Sequence, residues 1–157
     1  MSGIINRIGA RSGIISGGSG SSAGTVTLSG TTGLNYEEGT WTPVTIVGTA
    51  GSNEGIYTKV GRLVHCTGTL NFASQTDSRV AAIYGLPYTI KDTSPNRPTG
   101  SVFYTSYYAD QILILGNQNA VHIDLYKVVA STGVTHLSYT NMSGRRFDFD
   151  FTYFVKN

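Results

Sequence analysis

Two aspartates, Asp148 and Asp150, stand two positions apart near the C-terminus. A spaced pair of carboxyl groups is what cleavage of a glycosidic bond requires. On a β-strand the two side chains share one face, about 7 Å apart by strand rise, a separation that suits an inverting glycosidase. Arg145 and Arg146 lie beside them, however, and acids alternating with phenylalanines also make the ordinary outer face of a strand. The second reading carries more weight, and no catalytic residue is assigned. Glu37 and Glu38 are adjacent, so on a strand they point to opposite faces and make a poor acid–base pair.

Other chemistry-bearing side chains are sparse. His65, His122 and His136 lack the short spacings that bring two imidazoles to one metal. A site would need three copies on a threefold axis, each giving His65; a hydrogen-bonded interior histidine is the simpler expectation. No metal or cofactor is assigned. Cys66 is the only cysteine, with nothing nearby to mark it as a nucleophile, and reads as a buried inert thiol. Gly20-Ser21-Ser22-Ala23-Gly24 matches G-x-S-x-G, but lies in a glycine–serine stretch without the strand-to-helix turn that exposes a nucleophilic serine. No glycine-rich loop leads into a Lys-Ser/Thr pair that cradles phosphate. There remain Tyr84, Tyr104, Tyr107 and Tyr108, with the polar loop 92–100. Tyrosine faces stack on sugar rings, so they form a candidate receptor surface; tyrosines also seal subunit interfaces, and that reading is favoured.

The elements that must position these residues begin at Tyr36-Glu37-Glu38-Gly39-Thr40-Trp41-Thr42-Pro43. Residues 1–35 hold no aromatic side chain and no acid, whereas residues 36–157 hold the one Trp, all 10 Tyr and all 6 Phe. Aromatics dominate cores, so the folded body is 36–157. Within it, Ile56 to Phe72 reads as one long strand bent at Gly61 or Gly68, with Val60, Val64, Cys66 and Leu70 on one face. Arg79–Tyr84, Val102–Tyr108, Ile112–Leu115 and Val121–Val129 follow as strands. Phe147, Phe149, Phe151, Tyr153 and Val155 occupy every second position, which makes one stripe at period two and scatters at helical period. The expected fold is all-β, an antiparallel sandwich or jelly roll.

Residues 1–35 read as an extended arm. Ser2-Gly3-Ile4-Ile5 recurs as Ser12-Gly13-Ile14-Ile15, and Ile4, Ile5, Ile8, Ile14 and Ile15 are its anchoring residues. A linker-like run, Ser16–Gly24, follows, then an alternating Thr25–Ser29 that suits addition to a neighbouring sheet edge. Arg7 and Arg11 supply the whole formal surplus of +2; the body is balanced at nine Lys/Arg against nine Asp/Glu. With no basic stripe to neutralise phosphates, nucleic acid is not an expected partner. Nor is membrane insertion, since apolar runs such as Ile112–Leu115 are far too short to span a bilayer and the N-terminus lacks the apolar region of a signal peptide. Only 13% of residues are charged, well below an ordinary soluble domain, which suggests a surface covered by other copies.

The opening octapeptide resembles the Y/F-E-x-G-T-W/F-T-P string of tail-fibre and other virion proteins of tailed bacteriophages. Gly55-Ile56-Tyr57-Thr58-Lys59-Val60-Gly61-Arg62-Leu63-Val64 is similar to their G-x-Y-x-K-I/V-G-x-x-V segment. Gly85-Leu86-Pro87-Tyr88 and Phe151-Thr152-Tyr153-Phe154-Val155 look like a later turn and their final strand. The resemblance implies a homotrimeric fibre or spike module, made in the host cytoplasm. Its N-terminus would fix it to other virion proteins of tail, baseplate or capsid, and its body would assist host attachment through surface glycan. A capsid or tail cement protein that binds no receptor is the alternative.

Overall fold

The computed structural model describes Val26–Thr27 and residues 35–107, 111–131 and 133–156. The anchoring residues Ile4, Ile5, Ile8, Ile14 and Ile15, the linker, and Tyr108 lie outside the described residues. The described elements are β1 (Val26–Thr27), β2 (Asn35–Trp41), β3 (Glu54–Val60), β4 (Leu63–Asn71), β5 (Ala82–Tyr84), β6 (Thr99–Thr105), β7 (Ile112–Gly116), β8 (His122–Val129), β9 (Gly133–His136), a single-turn helix α1 (Tyr139–Met142) and β10 (Arg146–Phe154). Every ladder is antiparallel.

The all-β class holds, but the expected pair of stacked sheets is replaced by one. The strands run β1-β2-β3-β4-β10-β6-β7-β8-β5 in a single sheet, with β9 beside β8. This sheet curls until β5 reaches the segment after β2. There Val44 and Tyr84 exchange two backbone hydrogen bonds of 3.1 and 2.8 Å. A β-bulge where β10 meets β6, between Asp148 and Phe149, adds local twist on the way round.

β10 lies at the middle of this wrap, between β4 and β6. Its alternation works as the spacing predicts: Phe147, Phe149, Phe151, Tyr153 and, just beyond the strand, Val155 are buried. They meet Val64, Cys66 and Leu70 from β4, Ile114 from β7, Ile123 and Leu125 from β8, and Tyr139 and Met142 from α1. Each fully buried aromatic or aliphatic side chain contributes about 1.5–3 kcal/mol by leaving water, so this stripe is the chief source of stability.

Three local expectations are corrected. Ile56–Phe72 is a hairpin, not one strand: Val60 pairs with Leu63 across Gly61 and Arg62. Gly61 sits at φ +60°, the left-handed conformation that a two-residue turn demands. Because the chain reverses there, Val60 leaves the face shared by Val64, Cys66 and Leu70 and is exposed. Second, β9 and α1 escape the periodic reading because each is four residues long. α1 is held by a capping box, with the Asn141 N–H donating to Ser138 Oγ and the Ser138 N–H to Asn141 Oδ1. Third, Val26–Thr27 pairs with Tyr36 and Asn35 of this same chain.

Candidate functional site

The register between β2 and β3 places three pairs side by side on the inner face: Glu37 with Lys59, Gly39 with Tyr57, and Trp41 with Gly55. The second and third pairs are reciprocal. In one the aromatic ring comes from β3 and lies over a glycine of β2; in the other the ring comes from β2 and lies over a glycine of β3. A Cβ on Gly39 would meet the Tyr57 ring at 2.6 Å, and a Cβ on Gly55 would run into the Trp41 indole. The indole extends past Gly55 to Gly68 of β4, which pairs with Gly55, and ends edge-on against Phe149 with ring centroids 6.1 Å apart. Its Nε1–H donates to the Thr67 carbonyl at 3.0 Å, so the buried polar tip is satisfied. Glycine is needed at both positions because the ring occupies the space a side chain would take.

At the other end of the row the contacts are polar. Tyr57 Oη donates to Glu37 Oε1 at 2.7 Å, and Tyr88 Oη donates to the same oxygen. Lys59 Nζ lies 3.9 Å from Glu37 Oε2 and 5.2 Å from the centre of the Tyr88 ring. The Tyr57 and Tyr88 rings meet edge to face, and the Tyr88 N–H donates to Tyr153 Oη. The bond from Tyr88, then that from Tyr57, holds the Glu37 carboxyl below the usual carboxylate range, with Lys59 adding to the effect. The bond to Glu37 pushes Tyr57 up; burial, then its bond to Glu37, pushes Tyr88 up. These phenols are protonated donors to a carboxylate. A nucleophilic tyrosine needs the opposite shift, and the bonds of this cluster tie β2, β3 and the Tyr88 turn together.

On the outer face of the same strands lies an open groove of about 710 Å³. Its floor includes Ile56, Thr67 and Thr69; its acids are Glu54, Asp148 and Asp150, and among the described residues no cationic side chain lines it. Phe103 forms one side. The bulge leaves Phe103 without a partner on β10, so it and Tyr104 follow one another outward, and Phe103 is 91% exposed. The Arg146 guanidinium holds Asp148 (2.9 Å) and lies over the Tyr104 ring, while Asp150 accepts the Ser101 N–H at 3.2 Å. Asp148 and Asp150 do share this outer face, as their spacing predicts.

Among the described tyrosines named from sequence, Tyr84 and Tyr104 stand on separate strands. Tyr84 is on β5, stacked on His122, and Tyr104 is on β6; β7 and β8 lie between them in the sheet. Tyr107 packs against the core. Each histidine has a partner within the chain: His65 with Thr152 Oγ1 (2.8 Å), His122 with the Tyr84 ring, His136 with Tyr126 Oη (2.9 Å). Among the described residues no three His, Cys, Asp or Glu side chains converge as metal ligands. Cys66 is fully buried, and that burial pushes its thiol up to about 12. Sequence reasoning missed Phe103, because alternation along β6 gives no sign of a bulge. Glu37 was passed over as half of a poor pair, although Tyr and Lys at alternate positions of a neighbouring strand were a signal for its role. Set against known protein families, curated proteins and solved structures, the chain matches none.

Proposed function

We propose that this chain is a non-enzymatic structural module of a tailed-phage particle, the body of a short trimeric fibre or spike. In this reading Ile4, Ile5, Ile8, Ile14 and Ile15 fix it to other virion proteins, and the body contributes to host attachment through weak, multiplied contacts with surface glycan. One observation supports it above the rest. The motif positions that carry the resemblance, Glu37, Gly39 and Trp41 in one string and Gly55, Tyr57 and Lys59 in the other, are partners in a single ladder. Tyr88 of the Gly-Leu-Pro-Tyr turn and Tyr153 of the last strand join the same cluster. Four separated strings therefore meet in one three-dimensional unit, and that meeting supports the reading.

A cement role on capsid or tail is the second reading. It is favoured by exposed apolar side chains on several strands, among them Ile56, Phe103, Val134 and Phe154, which suit burial by neighbouring subunits. Gold-labelled antibody on intact particles separates the two. Tail labelling, together with competition between the purified chain and particles for cells, is the expected result; labelling confined to the head would remove the fibre reading.

A further inference from the structure

The outer groove and the arm are complementary in two respects. Among the described residues the groove is lined by Glu54, Asp150 and Asp148, the last already paired with Arg146, and by no cationic side chain, and it is flanked by the exposed apolar side chains Ile56 and Phe103. Residues 1–15 carry Arg7 and Arg11, no acid, and the five isoleucines Ile4, Ile5, Ile8, Ile14 and Ile15. The connection also has the right polarity. β1 is antiparallel to β2, with Val26 opposite Tyr36 and Thr27 opposite Asn35. The N-terminal end of β1 therefore faces the Trp41 end of β2, where Thr40, Trp41 and Glu54 line the groove. A glycine–serine run such as Ser16–Gly24 has a root-mean-square span of roughly 15–18 Å, and strands lie about 4.8 Å apart. That span is comparable to the distance from β2 across β3 and β4 to β10.

We propose that residues 1–15 seat in this outer groove of their own chain, with Arg7 and Arg11 against Glu54 and Asp150 and the isoleucines against Ile56 and Phe103. The occupant is the chain's own arm, because a covalent tether of this length holds it at an effective concentration near the millimolar range, above what a second copy reaches in dilute solution. The contact concerns the free subunit and stands apart from any role of the arm on a particle.

Disulfide trapping in the full-length chain tests this. Ile5→Cys with Ile56→Cys places one thiol on the arm and one in the groove; Ile5→Cys with Val134→Cys is the control, since Val134 is exposed on β9, outside the groove. Both partner positions are on the surface, and Trp41 emission checks that each variant is folded. The groove pair is expected to close at least 10-fold faster than the control and to run as a monomer without reductant. Adding Arg7→Glu and Arg11→Glu, or 1 M salt, is expected to remove most of that advantage. Equal closure rates for the two pairs overturn the proposal. A disulfide-linked dimer overturns it too, since the arm would then lie on a neighbour.

Discussion

The two faces of β2, β3, β4 and β10 are made from the same strands and differ in how their side chains meet. Inside, large and absent side chains interlock: Trp41 over Gly55 and Gly68, Tyr57 over Gly39, then the Phe147–Tyr153 stripe. Outside, Ile56, Thr67, Thr69 and Asp150 stand in rows without filling one another's space, and Phe103 stands free of the sheet. Alternation of side chains thus separates two kinds of specification. The inner face fixes which strands pair and in what register; the outer face is left open to whatever the chain meets. Glu37, Gly39, Trp41, Gly55, Tyr57 and Lys59 all stand on the inner face, so what these two segments specify first is a fold.

The comparison can be broken most directly at Trp41. Trp41→Ala removes the indole from above two glycines, leaves the Thr67 carbonyl without its donor, and opens a cavity against Phe149. Loss of about 3–5 kcal/mol is expected, read as a fall in the denaturant midpoint at unchanged slope. A loss below 1 kcal/mol would mean that the row does not hold β2 to the sheet. Glycine substitutions sharpen the same point. An alanine Cβ at Gly55 would approach the Thr67 carbonyl oxygen at 2.6 Å, whereas one at Gly68 finds ring atoms of Phe149 and Trp41 at 3.0–3.1 Å. Gly55→Ala should cost about 1–3 kcal/mol by overpacking. Gly68→Ala should cost less, because rings yield more readily than a strand's backbone; the reverse order in thermal melts would contradict the packing described.

Much of the inner face is legible in the sequence, and the reason is periodicity. Five apolar residues at every second position can only be a strand stripe, and the strand from His122 to Val129 declares itself in the same way. The clamp is harder to read, since it depends on which residues of β2 and β3 are opposite one another, and register is set by the turn between them as well as by pattern. Gly61 marks a turn, but a bent continuous strand satisfies the same string, and only the tertiary pairing decides. The closing of one sheet on itself is likewise absent from local pattern, because a sandwich and a curled sheet bury the same alternate residues. Phe103 is the clearest case of a residue hidden from sequence. A bulge is a property of two strands together, and neither β6 nor β10 encodes it alone.

A smaller effect separates the polar end of the inner row from its apolar end. Glu37→Gln keeps the shape but weakens two phenol bonds and the contact with Lys59, at a cost of about 1 kcal/mol near neutral pH. The sign of the pH dependence follows from the lowered carboxyl. The folded value lies below the unfolded one, so the contribution is fully present above the unfolded value, about 4.3. It is lost as pH falls through the folded value. The gap in melting temperature between the native chain and Glu37→Gln should therefore narrow as pH drops below about 4. A gap that stays constant from pH 7 to pH 3 would show that Glu37 contributes no charge-dependent stability. No such narrowing is expected for Trp41→Ala, whose contribution is apolar.

The smallest expected effect tests the outer face. Phe103→Ser removes a large aromatic side chain that is 91% exposed and is opposite no residue of β10. Surface changes of this kind ordinarily stay within about 0.5 kcal/mol, and exchanging an exposed ring for a hydroxyl should also raise solubility. A near-zero change in the denaturant midpoint, beside the several kcal/mol expected at Trp41, would establish that an aromatic on one face holds the sheet while an aromatic on the other serves contacts beyond it. A loss above 1 kcal/mol would instead measure how much the proposed contact between the arm and Phe103 adds to the fold. That result is most informative when repeated with Arg7→Glu and Arg11→Glu. If the arm shields Phe103, its removal from the groove should abolish any such loss, because nothing would then remain packed against the ring.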